Sequence, residues 1–157
     1  MLSLLQVKRE ERELLWNMLQ KYLEELTEYY PLDRDENGCY PYRYFDAYFL
    51  EPERIAYFIL CDGLPAGFAM INRYSCLGHH PDHAMAEFTV LPEFRRRHLA
   101  SEASRMILEK HPGKWEIKFS EKNTAAKKLW ETLAAEYGPA VYHMEDETVL
   151  EFATGRN

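Results

Sequence analysis

The order of elements predicts an α+β fold: a mixed, mainly antiparallel central β-sheet flanked by helices, with one strand-helix-strand unit near its centre. Three observations carry this expectation. Two β-rich runs, "RIAYFILC" and "LPAGFAMINRY", are joined by Asp62-Gly63, a strong hairpin signal. Three stretches repeat apolar residues at helical spacing, and the strand-like "KWEIKF" lies between the last two of them. At 157 residues, with 46% hydrophobic and 14% aromatic side chains, the chain has the size and composition of one domain with its own core.

The elements follow in order. Leu2 to Val7 reads as a short strand. From Arg9 to about Tyr29, Leu15, Met18, Leu19, Tyr22, Leu23 and Leu26 form one face of an amphipathic helix with a charged first turn. The loop "YPLDRDENGCYP" follows, and "YRYFDAYFLEP" predicts a short second helix stopped by Pro52. Six of the ten residues from Tyr40 to Phe49 are aromatic, a set that either packs the core or lines a pocket. After the hairpin, "AMAEFTVL" predicts a strand ended by Pro92. A helix is expected from about Arg96 to Lys110, and another from Asn123 or Thr124, good N-cap residues, to Tyr137, where Gly138-Pro139 ends it. Two strands, "AVYHM" and "TVLEF", close the chain.

Composition excludes several classes. No apolar run approaches the roughly 20 residues of a membrane helix, and the opening "MLSLLQV" is too short and uncharged for a signal peptide. Three cysteines at uneven spacing suit a reducing compartment, so a cytoplasmic location and free thiols are expected. Residues 1–62 carry net charge −6 and residues 63–157 carry −1, which argues against nucleic acid as a partner and favours an amine. The segment "CLGHHPDH" offers metal-ligand types but no ligand-knuckle spacing, so no metal is expected; a loop beside an acceptor cleft, with one His near the substrate, fits better.

One stretch stands out against the acidic background. In "LPEFRRRHLA" a strand ends and three arginines lead into a helix, whose first N–H groups lack partners and whose dipole favours an anion. A basic helix start is also a common solvated face. Neither a P-loop nor a G-x-G-x-x-G motif is present.

The run "EFTVLPEFRRRHLASEASRMI" resembles the signature segment of the GNAT acetyltransferase superfamily, in which a strand ending V-x-P leads into [QR]-x-x-G-x-[GA] and a helix. The segment "KWEIKFSEKNTAAKKLW" resembles the second shared segment, and the likeness covers about residues 55 to 137. It implies a single domain that binds acetyl-CoA and moves its acetyl group to a primary amine. Residues 1–52 would form the acceptor side, 53–137 the cofactor-binding core and 138–157 the C-terminal strands.

The resemblance also implies roles. Main-chain groups of Phe88 and Val90 would pair with the pantetheine arm, with the Val90 N–H facing the thioester oxygen. Arg95 takes the [QR] position, and Arg96, Arg97, His98, Leu99 and Ala100 would cradle the pyrophosphate. Asn123 would reach the cofactor from the next helix. Glu87, on the strand beside the expected thioester, is the candidate base, though a surface carboxylate is an equal reading. Two departures matter: His98 stands where the family prefers glycine, and Trp130 where it has a tyrosine thought to protonate the leaving thiolate. They motivate a rival reading, a catalytically silent acyl-CoA-binding module on the same fold. The oligomeric state stays open between monomer and homodimer.

Overall fold

A computed structural model describes residues 1–95 and 97–155. Its sheet has seven strands in the order β1-β2-β3-β4-β5-β7-β6. They are β1 (Leu2–Gln6), β2 (Ile55–Cys61), β3 (Leu64–Asn72), β4 (His83–Val90), β5 (Gly113–Ser120), β6 (Ala140–Met144) and β7 (Glu147–Thr154). Every neighbouring pair is antiparallel except β4 and β5, which are parallel. That pair needs a crossover, and α2 (Leu99–Lys110) provides it. The expected mixed, mainly antiparallel α+β architecture with a central strand-helix-strand unit is therefore the one observed.

Helix α1 (Arg12–Leu26) covers one face of the sheet, and α2 with α3 (Thr124–Ala134) covers the other. The helical spacing read from the sequence explains α1: Leu15, Met18, Leu19 and Leu23 are its buried positions, and they pack with Phe58, Phe68 and Met70 of the sheet. On the opposite face Ile107, Leu108 and Leu133 meet Trp115, Ile117 and Leu150. Each fully buried leucine or isoleucine here contributes about 2 kcal/mol of apolar transfer. Helix α3 starts where the sequence places it, because Asn123 Oδ1 accepts the N–H of Ala126 at 3.1 Å.

Two helical expectations need correction. The segment after Pro41 forms no α-helix but a single 3-10 turn, Asp46–Phe49. Tyr44 has φ 66°, a left-handed conformation that no α-helix continues through, and burial of Phe45 and Tyr48 fixes the turn by packing instead. Helix α2 begins at Leu99, since His98 has φ 59° and ψ 16° and acts as its left-handed N-cap.

The feature that positions the site is in β4. Met85 belongs to the core on the α2 and α3 side, so strict alternation would send Glu87 to that side too. The register shifts between Met70↔Glu87 and Ile71↔Met85, which leaves Ala86 as an extra residue. This bulge turns Glu87 to the α1 face. It also coincides with the end of pairing to β5, which spans only His83↔Trp115, Ala84↔Glu116 and Met85↔Ile117. Beyond that point β4 and β5 part.

Candidate active site

The gap between the parted strands opens into two joined cavities. One, of about 340 Å³, is lined by Tyr22, Tyr30, Tyr42, Glu87, Lys118 and Ser120 among others. The other, of about 490 Å³, runs past Phe88, Thr89, Val90 and Arg95 to Ala100, Ala125 and Leu129. Tyr22, Leu26, Phe88, Asn123, Ala126 and Trp130 line both. The gap is thus one passage across the sheet, with a polar end under α1 and a more apolar end leading to the start of α2.

Glu87 lies at the polar end. Its carboxylate accepts the hydroxyl of Tyr22 at 3.0 Å and that of Tyr42 at 2.8 Å. Burial pushes its pKa above the ordinary value, against the lowering pull of the two hydroxyls and of Lys118. A carboxyl group so placed suits proton exchange near neutral pH better than a solvated one. Of the two readings of Glu87, the geometry favours the site over the surface.

The backbone beside it is equally specific. Leu91 N–H bonds Ala66 O at 2.7 Å, toward β3, so by strand alternation the N–H groups of Val90 and Phe88 point into the gap. Close approach of β3 holds this end in place: a Cβ on Gly67 would lie 2.1 Å from Thr89 O and 3.0 Å from Val90 Cα.

The arginines behave differently from one another. Arg95 is engaged within the protein: Nε donates to Val90 O at 2.7 Å, and Nη1 and Nη2 each reach Glu25 at 2.9 Å. It clamps the end of β4 to α1 at the wall of the larger cavity. Arg96 lies outside the described residues. Arg97 is exposed with its guanidinium 5.7 Å from the Phe94 ring.

At the start of α2 the first helical bond is Glu102 N–H to His98 O, and among the described residues no side chain caps the helix. The N–H groups of Leu99, Ala100 and Ser101 are therefore free of helical partners. The exposed His98 ring leaves this end open, and the positive φ of its backbone accounts for the glycine preference noted in the sequence. His98→Gly is expected to raise stability by up to about 1 kcal/mol, read as a higher urea midpoint, because the left-handed strain is relieved.

Asn123 and Trp130 are both at the junction of the cavities. The Asn123 side chain is committed through Oδ1 to capping α3, and the Trp130 ring packs edge-on against Phe88 at 5.2 Å. The segment "CLGHHPDH" is tied to the sheet, and its Cys76 lines a smaller cavity beside Tyr42, Glu87 and Lys118. Cys76 N–H and Ser75 Oγ donate to the buried Glu116, His79 bonds Glu151, Asp82 accepts the N–H of Lys114, and the His83 ring lies on Trp115. Neither His79 nor His83 lines the passage, contrary to the expectation of a histidine near the substrate. Among the described residues no group of three His, Cys, Asp or Glu could hold a metal ion.

The sequence reading missed Tyr22 and Tyr42 as partners of Glu87, and Glu25 as partner of Arg95. One signal for the bulge was present: in "AMAEFTV" the buried Met85 and the inward Phe88 are three apart, which a regular strand does not allow.

A family model, described as Acetyltransferase (GNAT) family, matches residues 16–135. The chain belongs to the GNAT acetyltransferase family. Solved structures agree in fold. A GNAT-family acetyltransferase from Streptococcus agalactiae has a TM-score of 0.72 at 15% identity, over 99% of this chain and 96% of its own. NAA60 of Arabidopsis thaliana, in complex with acetyl-CoA, has 0.62 at 10% identity, over 99% of this chain and 100% of its own. Diaminobutyrate acetyltransferase of Paenibacillus lautus, in complex with L-2,4-diaminobutyric acid and coenzyme A, has 0.66 at 14% identity, over 100% and 97%. No curated protein matches this GNAT chain in sequence.

Proposed function

We propose that this GNAT protein transfers the acetyl group of acetyl-CoA to a primary amine by direct attack on the thioester. One observation carries the reading: the inward N–H groups of Phe88 and Val90 and the buried carboxylate of Glu87 lie on one strand, at the mouth of one passage. An acyl donor needs an extended arm held along a strand, an N–H at the carbonyl oxygen, and a base on the acceptor side. The larger cavity fits the arm. Its Ala100, Ala125 and Ala126 leave room, and the open N–H groups at the start of α2 suit the pyrophosphate. When bound, acetyl-CoA supplies the activated acyl group.

The chain's own residues do the rest. Glu87 removes a proton from the attacking amine, and the Val90 N–H supports charge growing on the thioester oxygen. Arg95 holds the end of β4 so that this N–H stays aimed. Residues 1–52 shape the acceptor side through Tyr22, Tyr30 and Tyr42, residues 53–137 carry the cofactor, and 138–157 complete the sheet. Among the described residues no helix is long and apolar enough to cross a membrane. The proposed setting is the cytoplasm, as a monomer or homodimer.

Two measurements test this. Millimolar acetyl-CoA should raise the unfolding midpoint, and thiol release should appear with some member of a panel of primary amines. A shift without release across diamines, amino sugars, amino acids and peptide N-termini would instead favour the silent module, the reading that Trp130 supports. No shift would remove both.

A second expectation concerns the cradle. Ala100→Glu places a carboxylate beside the open N–H groups and should weaken acetyl-CoA at least about tenfold, by charge repulsion and by competing for those donors. Calorimetric titration reads it directly.

A further inference from the structure

We propose that Tyr22 is the general acid that protonates the departing thiolate, working as a relay with Glu87. The proposal rests on the acetyl-transfer reading above. Its starting point is a chemical requirement: the proton that leaves the amine on one side of the sheet must be replaced on sulfur at the other. A group serving both ends has to face both cavities. Of the residues that line both, Leu26, Phe88 and Ala126 have no acidic side chain, Asn123 is a cap, and the Trp130 indole keeps its proton. Tyr22 is the one hydroxyl among them.

Its hydrogen bond gives the relay a direction. At rest the Tyr22 hydroxyl donates to Glu87 Oε1 at 3.0 Å. Its ring is held edge-on to Phe68 at 5.5 Å, so the oxygen stays where the cavities meet. Burial, and then the charge of Glu87, keep the phenol protonated far above neutral pH. The other tyrosines nearby do not share this placement. Tyr42 and Tyr30 line only the polar cavity of the two, with Tyr30 donating to Glu147 at 2.8 Å, and Tyr29 lines only the other.

The steps balance. The amine nitrogen bonds the acyl carbon, and its proton passes to the Glu87 carboxylate. Glu87 is then a donor rather than an acceptor, so its O–H turns to the Tyr22 oxygen and the phenol hydrogen is released toward sulfur. The C–S bond breaks, sulfur takes the Tyr22 proton, and Tyr22 takes the proton held by Glu87. The products are the amide and the free thiol. Glu87 returns to carboxylate and Tyr22 to phenol, with no proton drawn from solvent.

The test uses the full chain and the best amine found in the panel. Tyr22→Phe should lower kcat about 100-fold, with the KM for acetyl-CoA within about twofold, because the lost hydroxyl acts in the transition state. Putting the phenol back from the other wall, Tyr22→Phe with Trp130→Tyr, should recover at least about tenfold of that loss. A merely structural Tyr22 would not be rescued from α3. Far-ultraviolet circular dichroism and the acetyl-CoA thermal shift confirm that each variant is folded and loaded. Tyr22→Phe within about threefold of wild type, or a folded and loaded double variant no faster than Tyr22→Phe, overturns the relay. Should the double variant fail to fold, Tyr22→Phe assayed with added phenol decides instead: rate rising with phenol supports the relay, and a flat response overturns it. Absence of thiol release by wild type with every amine is the separate failure, of acetyl transfer itself.

Discussion

Glu87→Gln is expected to lower kcat about 100- to 1,000-fold while leaving the KM for acetyl-CoA within about twofold. The amide keeps the shape and can still accept one tyrosine hydroxyl, but it has no basicity. With the base gone, the proton of the attacking amine must leave to solvent, so the remaining rate should climb as rising pH supplies more solvent base. Steady-state rates from pH 6 to 10 check this. A constant wild-type-to-variant ratio over that range would remove Glu87 as base.

The same substitution has a stability consequence of opposite sign. The Glu87 pKa is raised in the folded state by burial, so its favourable contribution is present below the unfolded carboxylate pKa and disappears as pH rises through the folded one. At neutral pH the folded protein carries the cost of a buried charge, and Glu87→Gln removes it. The variant's unfolding midpoint should therefore match or exceed that of wild type at pH 7, and this advantage should shrink as pH falls through the raised folded pKa and be gone below pH about 4. Gain of stability with loss of turnover is the pattern of a group kept for chemistry.

Gly67→Ala is the second large expectation, and it acts on both stability and turnover. The added Cβ would stand 2.1 Å from the Thr89 carbonyl oxygen, a backbone atom in a paired strand that cannot step aside alone. Either β3 and β4 separate at this end or the strain is retained, at about 3 kcal/mol by the usual scale of overpacking. Separation moves Val90, the residue whose N–H is proposed to face the thioester oxygen. We expect a urea midpoint well below wild type and a kcat reduced at least about tenfold at temperatures where the variant is folded, because misaligned donors lose transition-state charge stabilisation. An unchanged midpoint would mean that the close approach of β3 to β4 does not depend on the missing side chain of Gly67.

What was legible in the sequence, and what was not, follows from the range of each interaction. Hairpin, helix faces and the strand-helix-strand unit were readable because they depend on residues near one another: Asp62-Gly63, the Leu15 to Leu26 spacing, the Asn123 cap. The second helix failed because a run ended by Pro52 carries no signal for the left-handed Tyr44, and Phe45 and Tyr48 are placed by docking onto distant residues. Glu87 was reached through the resemblance, but its partners were not, since Tyr22 and Tyr42 lie 65 and 45 residues away. Arg95 shows the same limit. Its sequence context suggests an anion, and Glu25, 70 residues earlier, is the anion it finds. At His98 the ring is exposed, and it is the backbone that takes the glycine-like conformation.

The parting of β4 from β5 gives a seven-stranded sheet two edges in its interior, where sheets ordinarily have none. Outer edges are guarded with prolines or lysines against adhesion to other chains. An inner edge that must admit an extended ligand arm cannot be guarded in that way. On the proposed function the pantetheine arm would pair there, and ligand at 100 times its Kd would add about 2.7 kcal/mol. Acetyl-CoA is therefore expected to slow the proteolysis of this protein, so that its lifetime would follow the supply of its own substrate.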